Sequence, residues 1–313
     1  MSRITLRQLE YFRAIAATGS LKAAAEREFV SRSTIAAALT DLERALETQL
    51  CIRNQATGIE LTEAGKAVLD VAATVGGYVE DLESIADGAT LKGVVTVGCF
   101  GSLSPTILPR LITQFAELHP GVEVVTETGS TDVLVDLLKS GRLDLIIAYK
   151  LHMDSTLTTR ALYETPMHAV LPPGHRLAAG KYVDAADLAD EPLVLITTPP
   201  SEEEVNEYFA PLGLTPNIRY RVSNFEYGRS LIAAGLGYGL HHQRPHHDLT
   251  YDGTPLASRP LSPAPPLARV SIAWPRGRRL TAKATAFVEM TEGMRETLAP
   301  ASIYPEQDLP EEA

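Results

Sequence analysis

Apolar residues recur at helical spacing from the start of the chain. Leu6, Leu9, Phe12, Ile15 and Ala16 share one face of a helix that Thr5, with Gln8 three positions on, opens as a capping box. Gly19 ends that helix, and Ser20 caps a short alanine-rich one over Leu21 to Glu28. Phe29-Val30 turns the chain to Ser31, another N-cap, and Ile35, Leu39, Leu42 and Leu46 line the inner face of a third helix. Two short helices joined by a tight turn, the second opening on serine, form a helix-turn-helix pattern; three amphipathic helices also form a plain bundle. Leu50–Arg53 and Ile59–Leu61 then flank Asn54-Gln55-Ala56-Thr57-Gly58 as a short hairpin, or wing. Thr62 caps a long helix to about Asp87. On it Val68, Val71, Val75, Tyr78, Leu82 and Ile85 alternate at spacings of three and four, a dimerising seam or the inner face of a larger core.

Beyond the glycine-containing break Gly88–Gly93 the pattern changes. Short apolar strands at Val94–Phe100, Val122–Thr128 and Asp144–Tyr149 alternate with amphipathic helices at Leu103–Leu118 and Thr131–Lys139, which predicts a parallel sheet with right-handed crossovers. A second set follows: strands at His168–Leu171, Leu193–Ile196, Arg219–Val222 and Gly237–His241, with helices near Glu202–Phe209 and Phe225–Ala234. Ala268–Trp274 and Thr281–Leu298 read as a last strand and helix.

Composition narrows the class. The 313 residues suit about two domains, and the hydrophobic and charged fractions are those of a globular protein. The absence of a long apolar run or an apolar N-terminal segment leads to the expectation of a cytoplasmic chain without a membrane span. Cys51 and Cys99 make no disulfide framework and suit a reducing compartment. The net charge of −11, taken as an average, argues against nucleic acid. Its distribution reverses that inference. Residues 1–58 carry eight basic and six acidic side chains, whereas residues 59–92 carry two and seven, and the tail Pro305–Ala313 is acidic throughout. The one basic segment is therefore the helix-turn-helix. The outward positions of its third helix are Arg32, Ser33, Ala36, Ala37 and Thr40, small enough for close approach to a major groove.

At this point several strings gain meaning. Leu6-Arg7-Gln8-Leu9-x-Tyr11-Phe12, Gly19-Ser20-Leu21-x-x-Ala24-Ala25, Val30-Ser31, Leu42-Glu43 and Leu61-Thr62-x-Ala64-Gly65 resemble the LysR-type transcriptional regulators, in order. Ile107-Leu108-Pro109, Phe115-x-x-x-His119-Pro120, Gly141-x-Leu143-Asp144-Leu145 and Ala233-Ala234-Gly235-Leu236-Gly237 extend the resemblance to about residue 298. It implies an α/β chain with a winged helix-turn-helix at 1–62, a dimerising linker helix and hinge at 63–92, and a two-lobed effector domain at 93–300. That domain resembles type 2 periplasmic binding proteins, and residues 301–313 form an acidic tail. The last strand and helix return to the first lobe. The implied partners are double-stranded promoter DNA, a small effector (a carboxylate or an aromatic compound), a second copy forming a dimer and then a homotetramer, and RNA polymerase. Arg32 stands where the family commonly has Gln.

Roles follow by position. Arg32, Ser33 and Thr34 are expected at base edges. Arg53 in the wing, with Ser20, Ser31 and Thr62 at helix N-termini, is expected at phosphates or the minor groove, beside the plain reading of the hydroxyls as caps. An effector is expected beyond the C-terminal strand ends of the α/β domain. In the first lobe this places Cys99, Phe100, Ser102, Ser130, Thr131 and Tyr149 around it, with an anion preferring this lobe. In the second it places Pro200, Ser201, Asn224, Phe225 and His241. His241-His242 and His246-His247 point to alternating faces and make a poor metal set; no metal, cofactor or catalytic group is expected. Two other classes compete: a cytoplasmic solute-binding protein, and an enzyme using Cys99 or Ser102.

Overall fold

The structure, a computed structural model, describes residues 4–54, 58–86, 91–150 and 154–305. The N-terminal unit begins with α1 (Leu6–Thr18), α2 (Leu21–Arg27) and α3 (Arg32–Leu46). The capping box forms as its chemistry dictates: Gln8 N donates to Thr5 Oγ1 at 3.3 Å, and Thr5 N donates to Gln8 Oε1 at 2.8 Å. Gly19 takes the left-handed conformation that ends α1. Phe12, Ile15, Ile35, Leu42 and Leu50 are all fully buried in one core. Strands β1 (Cys51–Asn54) and β2 (Gly58–Leu61) pair antiparallel as the wing, whose tip 55–57 lies outside the described residues. The Glu43 carboxylate fastens the wing to α3 by accepting from Leu50 N at 2.8 Å and Cys51 N at 3.2 Å.

Helix α4 (Glu63–Ala86) follows. It passes so close to β1 that a Cβ on Gly65 would sit 2.1 Å from the Leu50 carbonyl oxygen, so no larger residue fits. The apolar stripe expected to form one seam is divided. Val68 packs on the N-terminal core, Val71 and Leu82 are exposed, and the Tyr78 hydroxyl donates to Arg279 O at 2.7 Å. Nothing is described of the Ile85 side chain or of residues 87–90.

The first lobe is built from β3 (Gly93–Phe100), α5 (Ser104–Leu118), β4 (Val122–Gly129), α6 (Thr131–Lys139), β5 (Leu145–Tyr149) and β6 (Leu157–Pro166). Its sheet is completed late in the chain. The second lobe takes β7 (His168–Leu171), β8 (Val183–Asp184), α7 (Ala185–Ala189), β9 (Pro192–Ile196), α8 (Ser201–Phe209), β10 (Asn217–Val222), α9 (Phe225–Ala233), β11 (Gly239–His241) and β12 (Ala257–Ser262). Strand β13 (Leu267–Pro275), α10 (Ala282–Gly293) and α11 (Arg295–Leu298) then return to the first lobe. The order there is β4-β3-β5-β13-β6, with β3, β4 and β5 parallel and β13 antiparallel to both neighbours. Two segments therefore cross between lobes, one after Pro166 and one after Ser262.

Three expectations change. Strands β6 and β12 were not foreseen, because β6 alternates only in part and β12 carries Arg259-Pro260. The single helix expected at 281–298 breaks at Gly293-Met294 into α10 and α11. Among the described residues no helix is long and apolar enough to cross a membrane.

Candidate functional site

The exposed start of α3 presents Ser31, Arg32, Ser33 and Thr34 together. Ser31 Oγ accepts from Thr34 N at 3.1 Å and lies 2.7 Å from Ser33 Oγ and 2.8 Å from Thr34 Oγ1. The cap and the three hydroxyls thus form one polar rim, with Arg32 free to reach beyond it. Ser20 caps α2 through Ala23 N at 3.5 Å. Thr62 Oγ1 donates to Gln49 O at 2.8 Å and accepts from Gly65 N at 2.9 Å, so its single proton is spent inside the fold and the hydroxyl serves as the cap of α4. The backbone of Arg53 pairs with Ile59 in the wing, while its side chain lies outside what is described.

The second site lies between the lobes, where the ends of β3, β4 and β5 face α8, α9 and β11. It is a cavity of about 370 Å³. Phe100, Ser102, Ser130 and Tyr149 line it from one side, and Ser201, Asn224, Phe225 and His241 from the other. Three expected residues do not. Cys99 is fully buried in the first-lobe core, on the opposite face of β3 from the cavity, and burial raises its thiol pKa far above the usual range. Thr131 is the first residue of α6, and Pro200 serves as the N-cap residue of α8. Neither contributes to the lining.

Sequence reasoning missed Thr128, Glu204, Glu226, Gln243 and Tyr251, which join the walls from four different segments. Glu204 sits on the inner face of α8 with 8% exposure. Its Oε2 is 3.2 Å from His242 Nε2, and its Oε1 is 3.8 Å from Lys150 Nζ. Lys150 also bonds Glu207 at 2.9 Å, linking the first lobe to α8. Gln243 makes a second link, its Nε2 donating to Thr106 Oγ1 at 2.7 Å. Glu226 is held by the fully buried Arg229 at 3.1 Å and accepts from Tyr251 N at 2.6 Å. An i, i+3 Glu-Arg pair on a helix was a readable signal for that last arrangement; the others had none.

Among the described residues no Lys or Arg lines the cavity, and the N-terminus of α6 is served by its own Asp132, which accepts from Ser130 and is held below the usual carboxylate range. Helix α8 likewise carries Glu202, Glu203 and Glu204 in its first turn. Both helix N-termini are thus already faced by carboxylates of their own. His241 stacks on Phe225 with ring centroids 4.8 Å apart. Burial first, then His168 and Arg229, lowers its proton affinity well below normal. Burial likewise lowers His168 to about 3. The four histidines at 241, 242, 246 and 247 diverge: His242 faces Glu204 and His246 meets Arg110. Among the described residues no three His, Cys, Asp or Glu gather where they would hold a metal.

Comparison with known proteins covers both sites. Residues 6–66 match the family "Bacterial regulatory helix-turn-helix protein, lysR family", and residues 88–295 match "LysR substrate binding domain". The HTH-type transcriptional activator CmpR of Synechocystis is 26% identical over 97% of this chain and all of that protein. The crystal structure of HinK, a LysR family transcriptional regulator from Pseudomonas aeruginosa, is 33% identical. It covers 95% of this chain and all of its own, with a TM-score of 0.63. Full-length OxyR from the same organism shares the fold at 24% identity, with a TM-score of 0.70 over 92% of this chain and 97% of its own.

Proposed function

The chain belongs to the LysR family of DNA-binding transcriptional regulators with an effector-binding domain, and from that premise we propose how its sites divide the work. Residues 1–62 read promoter DNA, 63–92 join two subunits, and 93–300 bind a small molecule between the lobes. The opening of α3 enters the major groove, with Arg32 donating to a base edge and Ser33 and Thr34 beside it. Ser20 and Ser31, at helix N-termini, and Arg53, in the wing, meet phosphates.

A second copy of the chain covers the apolar surface formed by Leu6, Leu9, Leu46, Val68, Val71 and Val75. Dimers assemble into a tetramer in the cytoplasm, where the complex meets RNA polymerase.

The observation that carries the regulatory part is the interlobe cavity, whose walls come from both lobes and whose floor holds buried polar groups without partners. A ligand that bridges those walls favours one lobe arrangement over another, which is the differential affinity that coupling requires. The route to DNA runs through α4. Its Asp70 is ion-paired with Arg278 at 3.1 Å, and its Tyr78 bonds the Arg279 carbonyl, both in the loop between β13 and α10. Movement of the first lobe therefore pulls on the helix that sets the spacing of two DNA-binding units.

The test is binding of the full-length protein to DNA upstream of its own coding region across a salt series. A specific complex whose log affinity falls linearly with log salt is expected. Binding that ignores salt, or no preference for that fragment over scrambled DNA, defeats the reading.

A further inference from the structure

Among the described residues the fixed charges lining the interlobe cavity are of one sign: two carboxylates and neither Lys nor Arg. Glu226 is already matched by Arg229 and by the Tyr251 amide. Glu204 is matched less fully: it is ion-paired with Lys150 at 3.8 Å and lies 3.2 Å from His242 Nε2, but Lys150 makes its hydrogen bond to Glu207, and Glu204 Oε1 has no hydrogen-bond partner.

Gln243, 3% exposed, adds a second acceptor whose orientation is determined by its neighbour. Thr106 Oγ1 donates its only proton to Leu103 O at 3.0 Å, so it must accept from the Gln243 Nε2 group at 2.7 Å. That leaves Gln243 Oε1 in the cavity as an unmet acceptor. His241, 4% exposed and uncharged, contributes one acceptor nitrogen and one N–H donor, neither of which has a partner.

Buried acceptors without donors are rare in folded proteins, and a ligand that donates to them removes their cost. Phe100, Tyr149 and Phe225 supply aromatic faces around the same space, which favour positive charge. A carboxylate would instead meet Glu204 with no Lys or Arg among the described lining residues to receive it.

Resting on the reading of this cavity as the effector site, we propose that the effector is a small organic cation. It carries an ammonium or amidinium on a compact, partly apolar frame, and its N–H groups are received by Glu204 and Gln243.

The test uses the full-length protein with matched probes at neutral pH: benzylamine, benzamidine, benzyl alcohol and benzoate, each at millimolar concentration, followed by calorimetry and thermal shift. The two cations are expected to bind and to raise the melting temperature, and benzoate is not. Glu204→Gln, nearly isosteric, is expected to weaken both cations about tenfold or more and to leave benzyl alcohol unchanged. Ser201→Asp, which suits a helix N-terminus, is expected to tighten them several-fold and guards against a Glu204 variant that misfolds.

Preference for benzoate, cation binding indifferent to both substitutions, or no binding by either cation overturns the proposal. A Ser130→Trp variant, which fills the cavity, separates the two levels of failure. If benzoate binds and this variant abolishes it, the ligand class falls while the cavity stands. If any probe binds the filled variant as well as the native protein, the cavity reading falls too.

Discussion

In the N-terminal unit the helix caps are engaged within a few residues of themselves: Thr5 with Gln8, Ser20 with Ala23, Ser31 with Thr34, Thr62 with Gly65. In the interlobe cavity the reverse holds. Glu204, Gln243 and His241 are brought in from three segments, desolvated, and left with unpaired atoms. The two regions thus face their ligands in different ways. Arg32 and its neighbours are exposed, so in the proposed complex they would exchange water for DNA at little cost. The cavity groups have already lost water, so a ligand of matching chemistry gains more from each contact.

The largest effect that separates the regions is expected at Phe12, fully buried in the N-terminal core. Phe12→Ala should cost that unit about 3–5 kcal/mol. Chemical denaturation should then show an early transition for DNA binding while ligand binding persists. A single shared transition would mean that the two regions fold as one.

Next in size, Arg32→Ala should lower specific DNA affinity by about 1–3 kcal/mol and relax sequence preference at one base position. Effector binding measured by calorimetry should not move. Equal loss on all DNA sequences would reassign Arg32 to a phosphate.

Acid should distinguish the regions further, since all eight histidines lie beyond residue 118. His168 has its folded pKa lowered to about 3, and His241 is also lowered, chiefly by burial. The unfolded chain, with histidine near 6.5, takes up protons that the folded domain refuses, so stability is full above about pH 6.5 and is lost as pH falls towards 3. The effector-domain melting temperature should therefore drop between pH 6.5 and 5 while the N-terminal unit holds. His168→Asn should flatten that slope. The smallest effect is expected at Lys66, whose pair with Glu63 at 2.7 Å lies in solvent: Lys66→Ala should leave the melting temperature unmoved.

Legibility followed the same divide. The caps at Thr5, Ser20 and Ser31, the turn at Gly19 and the helices between them rest on contacts three or four residues apart, which a linear pattern records. The strands β3, β4 and β5 were legible as apolar runs, whereas β6 and β12 were not, since β6 alternates only in part and β12 carries Arg259-Pro260. Half-site logic also misled at Cys99: it ends a strand near the cavity, yet alternation along β3 turns its side chain into the core while Phe100 lines the opening.

The amino-acid sequence by itself determined the family, the order of the domains, the helix-turn-helix and the group of small polar residues at the start of α3. These depend on local spacing, capping chemistry and the segmental placement of charge. Only the tertiary structure decided which groups meet in the cavity. The pairing of Gln243 with Thr106 spans 137 positions, and Glu204 meets His242 through the packing of α8 against the segment after β11. It also set the charge around that site: helix dipoles read along the chain pointed to an anion, whereas the packing of α8 and α9 brings the carboxylates of Glu204 and Glu226 into the lining.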